Sequence, residues 1–218
     1  MLEALLQQWL ADAERHQDAR RHLTPYPGAT GPGYLGYMAT LASFAWLAPG
    51  HIVECGSCLG IGTLALWWGR HLSGDTIRRL LTIDQDDEAL RALHDRAGRL
   101  NLNDITYCHG DTADPALLRN FAHDFGPIGF LYADADHRYE GCIAELENAV
   151  PHMVPHGKIL VHDLAPRWDK ELFDRHHNGV TEAVEKFLHQ EPLWAAFYLG
   201  GGWALLYQRE SDLACHHL

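Results

Sequence analysis

The feature that most constrains this chain is an alternation that ends abruptly. Strand-sized apolar runs at 52–53, 80–83, 105–108, 128–132 and 158–161 are each followed by a segment with apolar residues at helical spacing. The last two runs, 194–199 and 203–207, are instead separated only by Gly200-Gly201-Gly202. Parallel neighbours need a long crossover, which the helical segments supply. Three glycines cannot hold a crossover helix, so the closing pair is expected to be an antiparallel hairpin. The expected fold is therefore α/β, a seven-stranded and mostly parallel sheet with helices on both faces and a C-terminal antiparallel hairpin.

Before the first strand, Leu2, Leu5, Leu6, Trp9, Leu10 and Ala13 recur at helical spacing, which predicts an amphipathic opening helix. Its apolar face makes a homodimer a reasonable assembly. Residues 24–33 hold three prolines and three glycines and are expected to form a loop; a helix over 34–47 should follow, stopped by Pro49-Gly50. No repeat or linker divides the chain, so residues 1–218 are read as one domain, with 1–50 an N-terminal helical segment.

A formal charge of −12 argues against a nucleic-acid footprint, which needs clustered Lys and Arg. No apolar stretch has the length of a membrane span. The start lacks a basic region and carries Glu3, so a cytoplasmic location is expected. Five cysteines suggest reduced thiols; Cys55 and Cys58 form a CxxC, but no second pair follows at zinc-ribbon spacing. Sixteen histidines weaken any inference from a single one, and the terminal Cys215-His216-His217 is read as a solvated tail.

Chemistry gathers where strands end. After the first strand comes Glu54-Cys55-Gly56-Ser57-Cys58-Leu59-Gly60-Ile61-Gly62-Thr63. Gly56 can form the tight turn, and Gly60 and Gly62 would let the helix start approach a ligand. Glu54 can accept from an ammonium or orient a water. A dinucleotide fingerprint begun at Gly56 would need glycine at 58 and 61, where Cys58 and Ile61 stand, which disfavours NAD. Asp84, ending the second strand beside Gln85, can take two ribose hydroxyls or cap the next helix. After the third strand, His109-Gly110-Asp111-Thr112 can hold an adenine.

These residues resemble the catechol and caffeoyl-CoA O-methyltransferases, S-adenosylmethionine-dependent enzymes of the Rossmann-like class I methyltransferase fold. The similarity spans about residues 30–207 and includes Tyr132-Ala133-Asp134-Ala135-Asp136-His137-Arg138-Tyr139 and Leu160-Val161-His162-Asp163. The Asp-His-x-Tyr-Glu segment with His-Asp further on looks like bacterial relatives that methylate sugars and natural products. The resemblance implies that Glu54, Gly56, Asp84 and Thr112 line the S-adenosylmethionine site, with Ser57, Cys58, Gly60, Thr63, Gln85, Gly110, Asp111 and Asp134 in the same turns. It implies a divalent metal on Asp134, His162 and Asp163, and catalytic roles for His137 as base and Asp134. Residues 164–179 would close over a small hydroxylated acceptor as a lid, with Tyr26, Tyr34 and Tyr37 as an opposite wall.

The family usually has an acidic residue and an amide after the fifth strand, where this chain has His162-Asp163. Imidazole ligation would favour Mn²⁺, Fe²⁺ or Zn²⁺ over Mg²⁺. Two alternatives stay open at this level: a metal-independent N- or O-methyltransferase with His137 as base, and a nucleotide-binding oxidoreductase or binding module.

Overall fold

Strand and helix boundaries follow the apolar periodicity closely. The computed structural model describes residues 1–15, 32–58, 60–165, 178–200 and 202–209. Two helices, α1 (Leu2–Arg15) and α2 (Pro32–Leu47), precede β1 (His51–Cys55). Then come α3 (Ile61–Leu72), β2 (Leu80–Asp84), α4 (Asp87–Arg99), β3 (Ile105–His109), α5 (Pro115–Phe125), β4 (Ile128–Ala133) and α6 (Tyr139–Ala149). A 3₁₀ turn leads into β5 (Met153–Val161), and α7 (Asn178–Gln190), β6 (Trp194–Gly200) and β7 (Trp203–Gln208) follow.

The seven strands form one sheet in the order β3-β2-β1-β4-β5-β7-β6. β3, β2, β1, β4 and β5 pair in parallel, whereas β7 pairs antiparallel with both β5 and β6, as a glycine-linked hairpin requires. The chain order reverses between β1 and β4, which opens a crevice beyond the carboxyl ends of those strands. β5 starts at Met153, earlier than the expected 158. Pro155, His156 and Gly157 mask its first half in the sequence, and the β4–β5 register shifts there.

Both faces of the sheet are covered, and adjacent strand residues point to opposite layers. Ile52, Leu80, Phe130 and Leu160 pack with Leu6, Trp9, Met38, Leu41, Leu64 and Leu93 from the first four helices. Val53, Leu81, Leu131 and Ile159 pack with Leu118, Phe121, Leu146, Val184 and Phe187 from the last three. Leu6 and Trp9 are fully buried within the chain, so much of the apolar stripe that suggested a homodimer serves the internal core. Trp9 lies over the Arg96 guanidinium, and Asp12 accepts from Nε and Nη2 of Arg99, which ties α1 to α4.

One expected helix cap is corrected. Asp86, not Asp84, caps α4 by accepting from the N–H groups of Glu88 and Ala89. Arg138 occupies the N-cap position of α6, while Asp136 accepts from its N–H and pairs with its guanidinium. Among the described residues, no helix is long and apolar enough to cross a membrane.

Candidate active site

Backbone hydrogen bonds carry the sheet ladder beyond the strand ends and set the functional residues side by side. Gly56 N–H donates to Ile83 O, Asp134 N–H to Cys55 O, and His162 N–H to Ala133 O. The turn after β1, the start of the Asp134 segment and the His162-Asp163 step are thus consecutive across the crevice.

Gly56 adopts φ 87°, and a Cβ there would collide with the backbone carbonyl of Asp134. This glycine is needed for both its conformation and its contact. Gly60 (φ 73°) and Gly62 were expected to make room for a ligand. The structure gives their space to the protein instead: a Cβ at Gly60 would strike Leu93 and Trp9, and one at Gly62 would strike the Glu54 carboxyl.

Asp84 organises this turn. Its Oδ2 accepts from Ser57 N–H at 2.9 Å, Ser57 Oγ at 3.0 Å and Cys58 N–H at 3.0 Å, while Oδ1 accepts from Asp86 N–H. Oδ2 is therefore saturated, and ribose recognition would fall to Oδ1. Glu54 is fully buried, with Oε2 accepting from Thr63 at 2.5 Å and Thr82 at 2.8 Å. Among the described residues, its Oε1 has no hydrogen-bond partner. Burial raises its pKa to about 8, the two hydroxyls oppose the rise, and the nearby Asp134 and Asp84 charges add to it. Thr63 is thus a buried partner of Glu54.

The turn after β3 is engaged internally as well. Thr112 is buried and donates to Glu145 Oε1 at 2.5 Å. Its hydroxyl therefore serves α6 rather than an open cofactor surface. Asp111 accepts from Ala113 N–H and, at 3.3 Å, from Gln85 Nε2; both side chains are exposed, whereas Gly110 packs against Leu117. Burial pushes the Glu145 carboxyl to about pKa 7, against hydrogen bonds from Thr112 and the Asp136 N–H. Cys58 is exposed, whereas Cys55 is buried, which drives its thiol pKa well up and leaves it unreactive.

Asp134, His162 and Asp163 converge at the ends of β4 and β5, with one ligand atom of each within 4.8 Å of the others. His162 Nδ1 lies 3.0 Å from Asp134 Oδ1 and 3.3 Å from Asp163 Oδ1. His137 Nε2 lies 3.1 Å from Asp163 Oδ2 and 3.6 Å from Asp134 Oδ1. Desolvation tends to raise the Asp134 pKa, but hydrogen bonds from His137, His162 and Tyr132 outweigh it and hold the group at about 2. The hydrogen bond to Asp134 raises the His137 pKa against burial. Asp163 sits at φ 59°, a left-handed conformation that turns its carboxylate back toward His162.

Tyr132, Trp203 and Tyr37 complete the cluster. Tyr132 Oη donates to Asp134 Oδ2 at 2.6 Å and lies 2.7 Å from Tyr37 Oη. Trp203 packs edge-on against both Tyr37 and His162. Sequence reading placed Tyr37 in an acceptor wall and missed the other two. The available signal for Tyr132 was its i, i+2 spacing to Asp134, which puts both on one face of an extended segment. Tyr26, the side chain of Tyr34, residues 166–177 of the expected lid at 164–179, and Cys215-His216-His217 lie outside the described residues.

Residues 53–164, just over half of the chain and the span from β1 to just past Asp163, match the family model described as a methyltransferase domain. The chain belongs to this methyltransferase family. No curated protein matches the sequence. The fold is shared with an O-methyltransferase from Bacillus cereus in complex with SAH, at TM-score 0.68 and 17% identity over 94% of this methyltransferase and 91% of that chain. It is also similar to an O-methyltransferase from Streptomyces achromogenes involved in tomaymycin synthesis, in complex with SAM (TM-score 0.64, 15% identity, 94% and 90% covered). A third similar structure is a TDP-rhamnose 3′-O-methyltransferase of calicheamicin biosynthesis (TM-score 0.63, 18% identity, 95% and 94% covered). Family membership decides against the oxidoreductase alternative for this methyltransferase.

Proposed function

We propose that this methyltransferase uses S-adenosylmethionine to methylate a hydroxyl of a small metabolite, sugar or natural product, with a divalent cation on Asp134, His162 and Asp163. The observation that carries the reading is the meeting of two carboxylates and an imidazole at the ends of β4 and β5, beside the glycine turn. The residues fit cationic ligands: Glu54, Asp84 and Asp134 lie close enough that each of the last two charges raises the Glu54 pKa. A sulfonium and a divalent ion in that crevice would relieve this mutual repulsion.

When bound, S-adenosylmethionine supplies an electrophilic methyl group, and a divalent cation lowers the pKa of an acceptor hydroxyl. The chain's own residues supply position and a proton acceptor. Asp84 fixes the turn at Ser57 and Cys58 that would cradle the donor. The remaining cofactor-side residues, Gly110, Asp111 and Gln85, would border the adenosine. His137 would take the acceptor proton on its other ring nitrogen, Nδ1, because Nε2 faces the Asp163 and Asp134 carboxylates as a donor, and those carboxylates would stabilise the resulting imidazolium. Residues 164–179 would close over the acceptor in a single-domain enzyme that works in the cytoplasm.

One observation favours a second reading. His137 and His162 each face both carboxylates, so a His162 imidazolium and the proton that His137 gains in the reaction would balance Asp134 and Asp163 without a metal. Chelation separates the two. Radiolabelled methyl transfer from S-adenosylmethionine to a panel of hydroxylated metabolites should stop in excess EDTA and return with Mn²⁺ or Mg²⁺. Full turnover in EDTA would reject the metal and leave His137 as base. A thermal shift with S-adenosylhomocysteine tests the donor; ligand at 100 times its Kd adds about 2.7 kcal/mol, and no shift at millimolar ligand would reject it.

A further inference from the structure

We propose that Tyr37 and Tyr132 are positioning residues, a two-phenol strut that sorts the oxygens of Asp134 so that Oδ1 alone is presented to the cation. The inference rests on the metal-assisted reading above and adds residues to it.

The polarity of the strut follows from proton counting. An Asp134 carboxylate is an acceptor only, and each phenol has one proton. Tyr132 gives its proton to Asp134 Oδ2 at 2.6 Å, so in the 2.7 Å contact Tyr37 must donate to the Tyr132 oxygen. The donor chain runs one way, from α2 through β4 to the carboxylate. Tyr132 is fully buried in the core layer beneath α2, which fixes its ring. With Oδ2 engaged from the core side, Oδ1 is the oxygen left facing His162 Nδ1 at 3.0 Å and His137 Nε2 at 3.6 Å.

The same Tyr37 ring braces a second ligand. It stands edge-on to His162 at 5.7 Å between centroids and edge-on to Trp203 at 5.0 Å, and Trp203 itself meets His162 edge-on at 5.2 Å. Outer groups of this kind orient metal ligands, and their loss typically weakens metal affinity about 10- to 100-fold.

The test measures Mn²⁺ binding to the full-length, metal-free protein by the EPR signal of free Mn²⁺, beside thermal melting and crystal structures. Tyr132→Phe should bind Mn²⁺ about 10- to 100-fold more weakly, and Tyr37→Phe by a smaller factor, while both melt cooperatively. A folded Tyr132→Phe with wild-type affinity overturns the strut. Should that variant not fold, Tyr37→Phe decides alone, and wild-type affinity there overturns it. Should the wild type take up no Mn²⁺, the metal reading fails, and the crystal structures judge the strut separately. An Asp134 carboxylate turned away from His162 in either folded variant supports it; an unmoved carboxylate overturns it.

Discussion

His162 Nδ1 lies 3.0 Å from Asp134 Oδ1, although the two residues are 28 apart in the chain. They meet because β4 and β5 are parallel neighbours and their ladder continues one step past the strands, through His162 N–H to Ala133 O. An acidic residue and an imidazole at corresponding strand ends thus become one cluster without a loop to aim them. Rigid placement of this kind is what methyl transfer demands, since the acceptor has to be held in line with the methyl.

Asp134→Asn and Asp163→Asn should each lower kcat by about 100-fold or more, because each removes a charge from the acceptor side. Asparagine keeps the shape of both side chains and tolerates the left-handed backbone at Asp163. The shift induced by S-adenosylhomocysteine should change little, whereas the melting temperature of Asp134→Asn should fall, because the carboxylate that accepts from Tyr132 and His162 is held at about pKa 2. Steady-state kinetics with parallel thermal shifts would show this; a proportional loss of cofactor binding would count against separate donor and acceptor sides.

Asp84→Ala should both loosen the turn and weaken the cofactor. Three donors from Ser57 and Cys58 lose their acceptor, at about 1–3 kcal/mol for each that stays buried and unpaired. Urea unfolding should report the stability loss, and calorimetric titration with S-adenosylhomocysteine a Kd at least about 10-fold higher, in line with about 1.4 kcal/mol per decade.

Gly60→Ala should destabilise the protein without touching chemistry directly. Its backbone is left-handed, and the added methyl would strike Leu93 and Trp9. A loss of about 1–3 kcal/mol in urea unfolding is expected from strain and overpacking together. Shortening the obstacle in Gly60→Ala/Leu93→Ala should not restore stability fully, since the backbone strain persists.

Glu145 makes stability depend on pH. Its folded pKa, about 7, lies above the ordinary carboxylate value of 4.5, so between those values the folded chain holds a proton that the unfolded chain has released. Stability from this group is complete below about pH 4.5, falls as pH rises, and is lost above about pH 7, a change of about 3 kcal/mol. Glu145→Gln should reduce the slope of the melting profile between pH 5 and 7, while Glu54, raised to about 8, keeps a slope of the same sign. An unchanged slope would show that another group governs it.

The sheet and its hairpin were legible because periodicity and three adjacent glycines admit few arrangements. So was the line of Glu54, Asp84, Asp134 and Asp163, since parallel strands carry their last residues to the same edge. What each polar group touches was not legible. Thr112 reads as a cofactor residue until Glu145 arrives from α6 to accept its hydrogen bond. Gly60 and Gly62 read as ligand clearance, yet the groups filling their space belong to Trp9, Leu93 and Glu54. Tyr132 reads as one more apolar strand residue, because nothing in linear order places Tyr37 of α2 over its hydroxyl.

The insertion of β7 between β5 and β6 has a bearing on biosynthesis. Trp203, at the start of β7, seals the aromatic flank of His162, and Gly202 O accepts from Leu164 N–H just past Asp163. Contacts that join residue 37 to residue 203 close late, because the loop entropy between them has to be overcome first. A nascent chain emerging from the ribosome can lay down its first five strands in order, yet it completes the pocket around His162 only after the closing hairpin has cleared the exit tunnel.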